Sequence, residues 1–228
     1  MNLIDNESLA GTLDAVNDAF LHGTTIPKKS RLEVAEWIAA RQGLPGAYAG
    51  LFAPTEKDFR KGIRLFTGEK LGTRAGIAHI LGEEAARALI LLGTPHSNER
   101  AALERASMGM VRRLQEHERP ESGRYCCGKC TCALWRHLSV GGLRGVDAER
   151  WIKAGMKVLK SLRNGKGRWN VFPFYYTLLT LSDLDSLRAM AEMRYAAHLC
   201  ERLLKRQTRD GDVEMRRRIV LRRVLDKC

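Results

Sequence analysis

Four of the six cysteines lie close together, at Cys126, Cys127, Cys130 and Cys132. The spacing Cys127-x-x-Cys130 is typical of metal and redox sites, because a tight turn can present both thiolates to one ion or to each other. His137 follows Cys132 after about one helical turn and could complete the ligand set of a zinc ion. These five residues are a candidate zinc or redox site. The alternative is a set of inert core thiols, since Cys is often buried as a small hydrophobic residue.

Acidic and basic residues form two further candidate sites. His79 and Glu83 are four residues apart, so on a helix they share one face and could act as an acid–base pair. The alternative is a simple intrahelical hydrogen bond. The segment 55–70 alternates acids and bases and could hold a phosphate or a polar substrate, with an ordinary solvent loop as the alternative. Its candidate binding residues are Asp58, Arg60, Arg64 and Glu69.

An arginine next to an aromatic residue occurs twice, as Arg124–Tyr125 and Arg168–Trp169. A guanidinium in this setting can stack on the ring or bind an anion. Together with Tyr175, these aromatic residues could line a cavity for an apolar ligand. The alternatives are a structural role at the preceding helix end and simple burial in the core.

The elements that must position these residues are predicted to be helices, because apolar residues recur at helical spacing and no stretch alternates as a strand would. Ser30 is a predicted N-cap, with Glu33 completing a capping box. Asp147 is predicted to cap a later helix, and Pro173 to begin another. The segment 43–72 is broken by glycine and proline and is the least regular part. The predicted helices are 4–21, 30–41, 73–92, 98–117, 130–139, 147–163, 174–182, 187–207 and 213–226.

The second half of the chain repeats itself. Gly123-Arg124-Tyr125 reappears as Gly167-Arg168-Trp169, 44 residues later, and Gly109-Met110 reappears as Gly155-Met156. A period of roughly 40–47 residues is typical of stacked helix pairs. We therefore predict an all-α fold of antiparallel helix pairs, stacked as a helical-repeat array or an incomplete α/α toroid. It should form a single domain over 1–228. Its parts are a less regular 1–72, helix pairs over 73–207 and a basic C-terminal helix at 208–228.

The repeat unit also resembles a known family. Its copies run from Gly155-Met156 through Gly167-Arg168-Trp169 into Phe174-Tyr175-Tyr176-Thr177-Leu178-Leu179, and from Gly109-Met110 through Gly123-Arg124-Tyr125 into Thr131-Cys132-Ala133-Leu134. A fainter copy runs from Trp37-Ile38 through Gln42, Gly46 and Tyr48 to Phe52-Ala53-Pro54. Over about residues 35–205 this pattern resembles the helix-pair repeat of the terpenoid cyclase and prenyltransferase superfamily. The resemblance implies two helical layers around a central, often apolar cavity. The catalytic motifs of that superfamily are not matched.

The net charge of +13 is unevenly distributed: residues 1–60 carry six Lys/Arg and eight Asp/Glu, and the remainder is strongly basic. Such a basic half attracts polyanions, although basic residues also commonly form a solvated helix face. No apolar run is long enough for a transmembrane segment, and the N-terminal segment lacks the pattern of a secretory signal. We therefore expect a cytoplasmic protein without a disulfide framework.

Three functions remain open from the sequence. The first is binding of a small, partly apolar or phosphorylated ligand in a concave central site near Tyr125, Trp169, Tyr175 and the segment 55–70. The second is nucleic-acid binding through the basic second half. The third is a metal or redox interaction module that uses the turn 126–132.

Overall fold

The computed structural model describes residues 2–93, 96–117, 120–206 and 211–228. Helices dominate this part of the chain, and the strands in it form one hairpin of two residues each, which confirms the all-α class. The helices are α1 (Leu9–Leu21), α2 (Lys28–Ala39), α3 (Glu56–Lys61), α4 (Arg74–Leu92), α5 (Ser97–His117), α6 (Gly128–Ser139), α7 (Ala148–Ser161), α8 (Phe174–Asp183), α9 (Leu187–Arg206) and α10 (Asp212–Asp226). The strands are β1 (Ile63–Arg64) and β2 (Lys70–Leu71), and Pro120–Ser122 is a 3₁₀ turn.

The helices from α4 to α10 coincide with the predicted ones to within about two residues at each end. The Asp147 carboxylate caps α7 by accepting from the Arg150 N–H, and Pro173 immediately precedes α8, as expected. The first helix begins at Leu9 rather than at residue 4, because the Ser8 side chain caps it there. Both α3 and the hairpin lie in the segment that was expected to be irregular.

The predicted capping box of α2 is wrong. The helix begins at Lys28, directly after Pro27, and its first backbone bond runs from the Arg31 N–H to the Pro27 carbonyl at 2.9 Å. Ser30 therefore lies inside the first turn. The chain can enter the helix at once after Pro27, because the residue after a proline is not restricted as the residue before it is.

The chain divides into two compact units, each built from separate stretches of sequence. Unit 1 comprises residues 1–64, 70–118 and 140–146 and contains α1–α5. Its central helix is α4, on which α1 and α2 pack, while α2 also packs on α5. Residues 77–89 of α4 are all buried, which fits a helix whose apolar residues are not confined to one face.

Unit 2 comprises residues 65–69, 119–139 and 147–228 and contains α6–α10. Its central helix is α8, which packs on α6, α9 and α10. The serine and threonine hydroxyls in this helix are satisfied locally, as when Thr180 donates to the Tyr176 carbonyl at 2.8 Å. The division into units does not follow the predicted boundaries at 72 and 207. The prediction of a single domain stays a prediction, because two compact units can belong to one domain.

The repeat is visible in the loops that follow α2 and α7. Each loop is closed by an antiparallel bridge, Gln42–Phe52 in unit 1 and Arg163–Trp169 in unit 2. The helices themselves repeat at 46 residues, since α6 begins at Gly128 and α8 at Phe174. The loop before α8 is thus two residues longer than the loop before α6, counted from the matching Gly-Arg-aromatic triplets. The ring-like closure of the helix pairs stays a prediction.

Candidate thiol site

The cysteine turn immediately precedes α6 in unit 2, and its backbone is fixed by one hydroxyl. The Thr131 hydroxyl accepts a hydrogen bond from the Tyr125 N–H at 3.0 Å. The oxygen of the same hydroxyl lies 2.9 Å from the Tyr125 carbonyl oxygen and 2.8 Å from the Cys127 carbonyl oxygen. Its proton is donated to these two carbonyls. Between them, Cys126 has a φ of 51°, in the left-handed region that is uncommon for residues other than glycine. The turn is therefore held in a conformation that a free peptide rarely adopts.

Two glycines let the turn pack closely within unit 2. A side-chain carbon on Gly128 would overlap the Val171 carbonyl, and one on Gly123 would overlap the backbone of α7 at Gly155. Gly123 also has a φ of 60°. Close backbone approach and a left-handed conformation both require glycine. The start of α6 is therefore fixed by backbone contacts on two sides.

Three cysteine sulfurs meet at this helix start. The Sγ atoms of Cys126, Cys127 and Cys130 all lie within 4.8 Å of one another. Cys126 and Cys127 are exposed, whereas Cys130 is buried. The site thus combines two accessible sulfurs with one that is shielded from solvent.

The two sulfurs of the Cys-x-x-Cys pair differ in acidity. A hydrogen bond from the Cys130 thiol is the main cause that lowers the pKa of Cys127 to about 5, and the backbone N–H groups of Cys130 and Lys129 add to it against the opposing effect of burial. The same bond, together with burial, raises the pKa of Cys130. At neutral pH the pair therefore consists of an exposed thiolate and a buried thiol that donates to it.

Cys132 and His137 lie apart from these sulfurs, although the sequence grouped all five residues. Cys132 follows Cys130 by two positions, about 200° around the helix, so it points to a different face. The Cys132 sulfur is buried and lies 3.6 Å from the Thr177 hydroxyl oxygen. Burial raises the pKa of this thiol to about 12. His137 is seven residues beyond Cys130, about 10 Å along the helix axis. Three thiolates would supply three of the four ligands that zinc takes, so zinc stays a prediction for Cys126, Cys127 and Cys130 alone.

The predicted aromatic ligand site in unit 2 is partly closed. Tyr125 and Trp169 are buried, and the Trp169 indole N–H donates to the Glu192 carboxylate at 2.9 Å. Arg168 and Tyr175 remain partly accessible, with the Arg168 guanidinium 4.3 Å from the centre of the neighbouring Phe174 ring.

The structure adds Arg217 to this group, a residue that the sequence analysis did not single out. Its guanidinium carbon lies 4.6 Å from the centre of the Tyr175 ring. Glu69, predicted as a ligand-binding residue, has its carboxylate occupied: it accepts from the Tyr176 N–H at 3.1 Å and from the Thr67 hydroxyl. The run of arginines at 216–218 was the only sequence signal for Arg217.

The remaining predicted site residues belong to unit 1. The buried Asp58 carboxylate accepts from the Ser8 hydroxyl at 2.6 Å and from the Leu9 N–H at 2.9 Å, and it also completes the capping box of α3. Arg60 and Arg64 are exposed. Asp58 is therefore a structural residue that ties α1 to α3.

His79 and Glu83 do lie on one face of α4, with 3.3 Å between the His79 Nε2 and a Glu83 carboxylate oxygen. Both side chains are almost completely buried, at 2% and 0% exposure, and the Tyr48 ring lies 4.6 Å from the His79 ring. The predicted acid–base pair therefore exists as a contact, in a place that bulk solvent does not reach. Unit 1 also has an open groove of about 1010 Å³ along α5, which the sequence did not indicate.

Within the described ranges, none of the helices has both the length and the apolar character needed to span a bilayer. Comparison with protein-family models, curated proteins and solved structures found no match. The resemblance to the terpenoid cyclase and prenyltransferase repeat therefore stays a prediction.

Proposed function

We propose that this protein carries out thiol–disulfide exchange through Cys127 and Cys130. The observation that carries the proposal is the pairing of an exposed sulfur with a buried one at the start of α6, within 4.8 Å of each other. A reactive thiol must be accessible to its substrate, and a resolving thiol must be close and protected until it is needed. The substrate class is a disulfide, either of low molecular weight or in another protein.

The exposed thiolate begins the reaction. The Cys127 sulfur attacks one sulfur of the substrate disulfide, the substrate S–S bond breaks, and the other substrate sulfur leaves as a thiolate. Backbone N–H groups at the helix start stabilise the Cys127 thiolate before the attack. The product of this step is a mixed disulfide between Cys127 and the substrate.

The buried thiol completes the reaction. Once Cys127 is in the mixed disulfide, the Cys130 thiol no longer donates to a thiolate, so the hydrogen bond that raised its pKa is lost. Cys130 then loses its proton to the leaving thiolate or to water and attacks the Cys127 sulfur. The remaining substrate sulfur leaves as a thiolate, which takes a proton from water, and a Cys127–Cys130 disulfide remains. Two electrons have passed from the protein dithiol to the substrate disulfide, and every sulfur is accounted for.

Cys126 gives the site a third sulfur, and this sets the competing outcome. A dithiol reaction needs only two sulfurs, whereas three thiolates suit a thiophilic ion such as zinc. A bound ion would occupy both reactive sulfurs and prevent exchange. Metal content must therefore be measured on the same protein as redox activity.

The decisive experiment equilibrates the full chain with glutathione buffers of graded potential, traps free thiols by alkylation and maps disulfides by mass spectrometry. We expect a reversible two-electron transition to a Cys127–Cys130 disulfide that is absent from Cys127→Ser and Cys130→Ser. The matched control is Cys228→Ser, which removes another exposed cysteine and should leave the transition unchanged. One zinc per chain without this transition would overturn the proposal, as would a disulfide that forms equally well in Cys130→Ser.

Two other functions expected from the sequence stay predictions: binding of a small ligand in a concave site, and nucleic-acid binding. Nucleic-acid binding would involve unit 2, which contains 23 Lys/Arg and 12 Asp/Glu and thus +11 of the total charge of +13. Binding through phosphates should weaken steeply with salt, because it releases counterions. An affinity that hardly changes between low and moderate salt would contradict it.

A further inference from the structure

We infer that Arg168, Tyr175 and Arg217 in unit 2 form a binding site for an oxyanion, namely the phosphate group of a phosphorylated ligand. This site is separate in its chemistry from the thiol pair, and the inference does not depend on the proposed function. It rests on the Arg168 guanidinium and the Tyr175 hydroxyl, for which the described residues provide no hydrogen-bond acceptor, and on Arg217, whose guanidinium is held beside them by Thr67 and Glu214.

Arg168 is held rigidly by its backbone. Its backbone N–H donates a hydrogen bond to the Asn164 side-chain oxygen at 3.2 Å. Its carbonyl accepts from the Asn164 N–H at 3.0 Å and from the Tyr195 hydroxyl at 3.1 Å. The adjacent Trp169 is anchored in the core by Glu192. The position from which the Arg168 side chain projects is thus fixed by four hydrogen bonds.

The Arg168 guanidinium, by contrast, has no acceptor among the residues that the structure describes. It lies over the Phe174 ring, at 4.3 Å from guanidinium carbon to ring centre. Stacking on a ring orients the planar fork and leaves its N–H groups directed sideways. A guanidinium in this arrangement can bind two oxygens of a phosphate at once.

Arg217 lies on the next ring in the same way. Its carbon is 4.6 Å from the centre of Tyr175, and the rings of Phe174 and Tyr175 meet edge to face at 5.2 Å. The Arg217 Nε donates to the Thr67 carbonyl at 2.8 Å, which fixes the head group. Nη1 forms an ion pair with the Glu214 carboxylate at 3.7 Å, a separation too long for a hydrogen bond.

The Tyr175 hydroxyl is the third donor. Within the described part of the chain it has no hydrogen-bond partner, although the residue is only partly exposed. The Arg217 guanidinium lies on the Tyr175 ring and the Arg168 guanidinium on the adjoining Phe174 ring, so the three groups are neighbours in unit 2. The nearby carboxylate of Glu69 is already engaged by the Tyr176 N–H and the Thr67 hydroxyl.

The surrounding charge favours an anion. Unit 2 carries a net charge of +11, from 23 basic and 12 acidic residues, and such a field raises the local concentration of anionic ligands. The Arg168 guanidinium covers one face of the Phe174 ring, and the Arg217 guanidinium covers one face of the Tyr175 ring. A nucleobase therefore cannot stack on either of these two faces. The geometry therefore fits the phosphate itself and does not require a base.

The test is calorimetric titration of the reduced full chain at low salt with inorganic phosphate, pyrophosphate and a ten-nucleotide single strand of thymidine. We expect one pyrophosphate per chain, bound more tightly than phosphate. Arg168→Gln should weaken binding about tenfold or more, because a charge-assisted bidentate contact is lost. Arg168→Lys should recover only part of this, because the charge remains but the fork does not. Tyr175→Phe should weaken binding by a smaller factor of about three to ten, for one neutral donor.

The matched control is Arg188→Gln, which removes one exposed positive charge from α9 and should leave binding unchanged. If the strand also binds and pyrophosphate displaces it, the ligand phosphate is that of a nucleic-acid backbone. Pyrophosphate binding without strand binding identifies a small phosphorylated ligand. Absence of pyrophosphate binding at millimolar concentration would overturn the inference, as would an equal loss in Arg168→Gln and Arg188→Gln. Unchanged far-ultraviolet circular dichroism in each variant excludes unfolding as the cause of a loss.

Discussion

The acidity of Cys127 leads to a reactivity that depends on pH in a specific way. At pH 5.5 a thiol with a pKa of about 5 is roughly three-quarters thiolate, whereas an ordinary thiol with a pKa of about 8.5 is roughly 0.1% thiolate. The advantage in thiolate is therefore about 800-fold. More acidic thiolates are weaker nucleophiles, by roughly 25- to 60-fold for a Brønsted coefficient of about 0.4–0.5 over this pKa difference. The net expectation is that Cys127 attacks a disulfide roughly 10- to 30-fold faster than an ordinary thiol at pH 5.5.

At pH 7 the same reasoning gives a different answer. The thiolate advantage falls to about 30-fold, because the ordinary thiol is then roughly 3% ionised. The lower nucleophilicity of the acidic Cys127 thiolate offsets this advantage, so Cys127 should react at nearly the rate of an ordinary thiol. The signature is thus a rate ratio of about one at pH 7 that rises by an order of magnitude at pH 5.5.

The assay measures the initial rate at which glutathione disulfide consumes the free Cys127 thiol at both pH values, whether the product is the mixed disulfide or the Cys127–Cys130 disulfide. Cys126→Ser and Cys228→Ser together remove the other exposed cysteines, and mass spectrometry quantifies modification of the Cys127 peptide. A synthetic peptide of residues 121–136 with Cys127 as its only cysteine is the reference thiol. In this background, Cys130→Ala should remove most of the advantage at pH 5.5, because its thiol is the main cause of the lowered pKa. Equal rates for protein and peptide at pH 5.5 would refute the reasoning.

Three further changes test the packing. Gly155→Ala should lower the free energy of unfolding by about 1–3 kcal/mol despite the better helix propensity of alanine, because its methyl group would overlap the buried Trp135 ring; a stabilised variant in urea unfolding would contradict this. Asp58→Ala should cost about 2–4 kcal/mol by leaving buried donors unpaired, with a lower midpoint of thermal unfolding and no change in pyrophosphate affinity. Asp183→Ala should lower the free energy of unfolding by about 3–5 kcal/mol, because it removes a carboxylate 3.1 Å from the buried Arg136 guanidinium. A loss below about 1 kcal/mol in denaturant titration would contradict this and show that the other partners of Arg136 suffice.

The long helices could be predicted from the sequence because their apolar residues recur with helical period over many turns. The six-residue α3 could not be found this way, since a helix of that length shows less than two periods. A local signal for it was present: Thr55 and Asp58 have the spacing of a capping box, and the structure confirms both of its hydrogen bonds. The same type of signal at Ser30 and Glu33 was misleading, because Pro27 had already started α2.

The cysteine site was predicted in part. Proximity in sequence was enough to indicate that the sulfurs of Cys126, Cys127 and Cys130 would lie close together, because the three residues fall within five positions at the start of a helix. Cys130, Cys132 and His137 all lie within the predicted helix 130–139 as well as within α6, so helical geometry separates them although they are close in sequence. A helix from Gly128 places Cys132 on another face and His137 too far along the axis. The contact of Arg217 with Tyr175 joins residues 42 positions apart, and no local pattern encodes such a contact.

The interleaving of the two units has a consequence for how the chain is made and cut. Residues 65–69 of unit 2 leave the ribosome before residues 70–118 of unit 1, and residues 140–146 of unit 1 leave it after α6 of unit 2. During synthesis, neither unit has all of its chain until part of the other has emerged. For the same reason, no single cleavage releases either unit whole. A fragment that begins at residue 119 would lack Glu69, which bonds the first turn of α8.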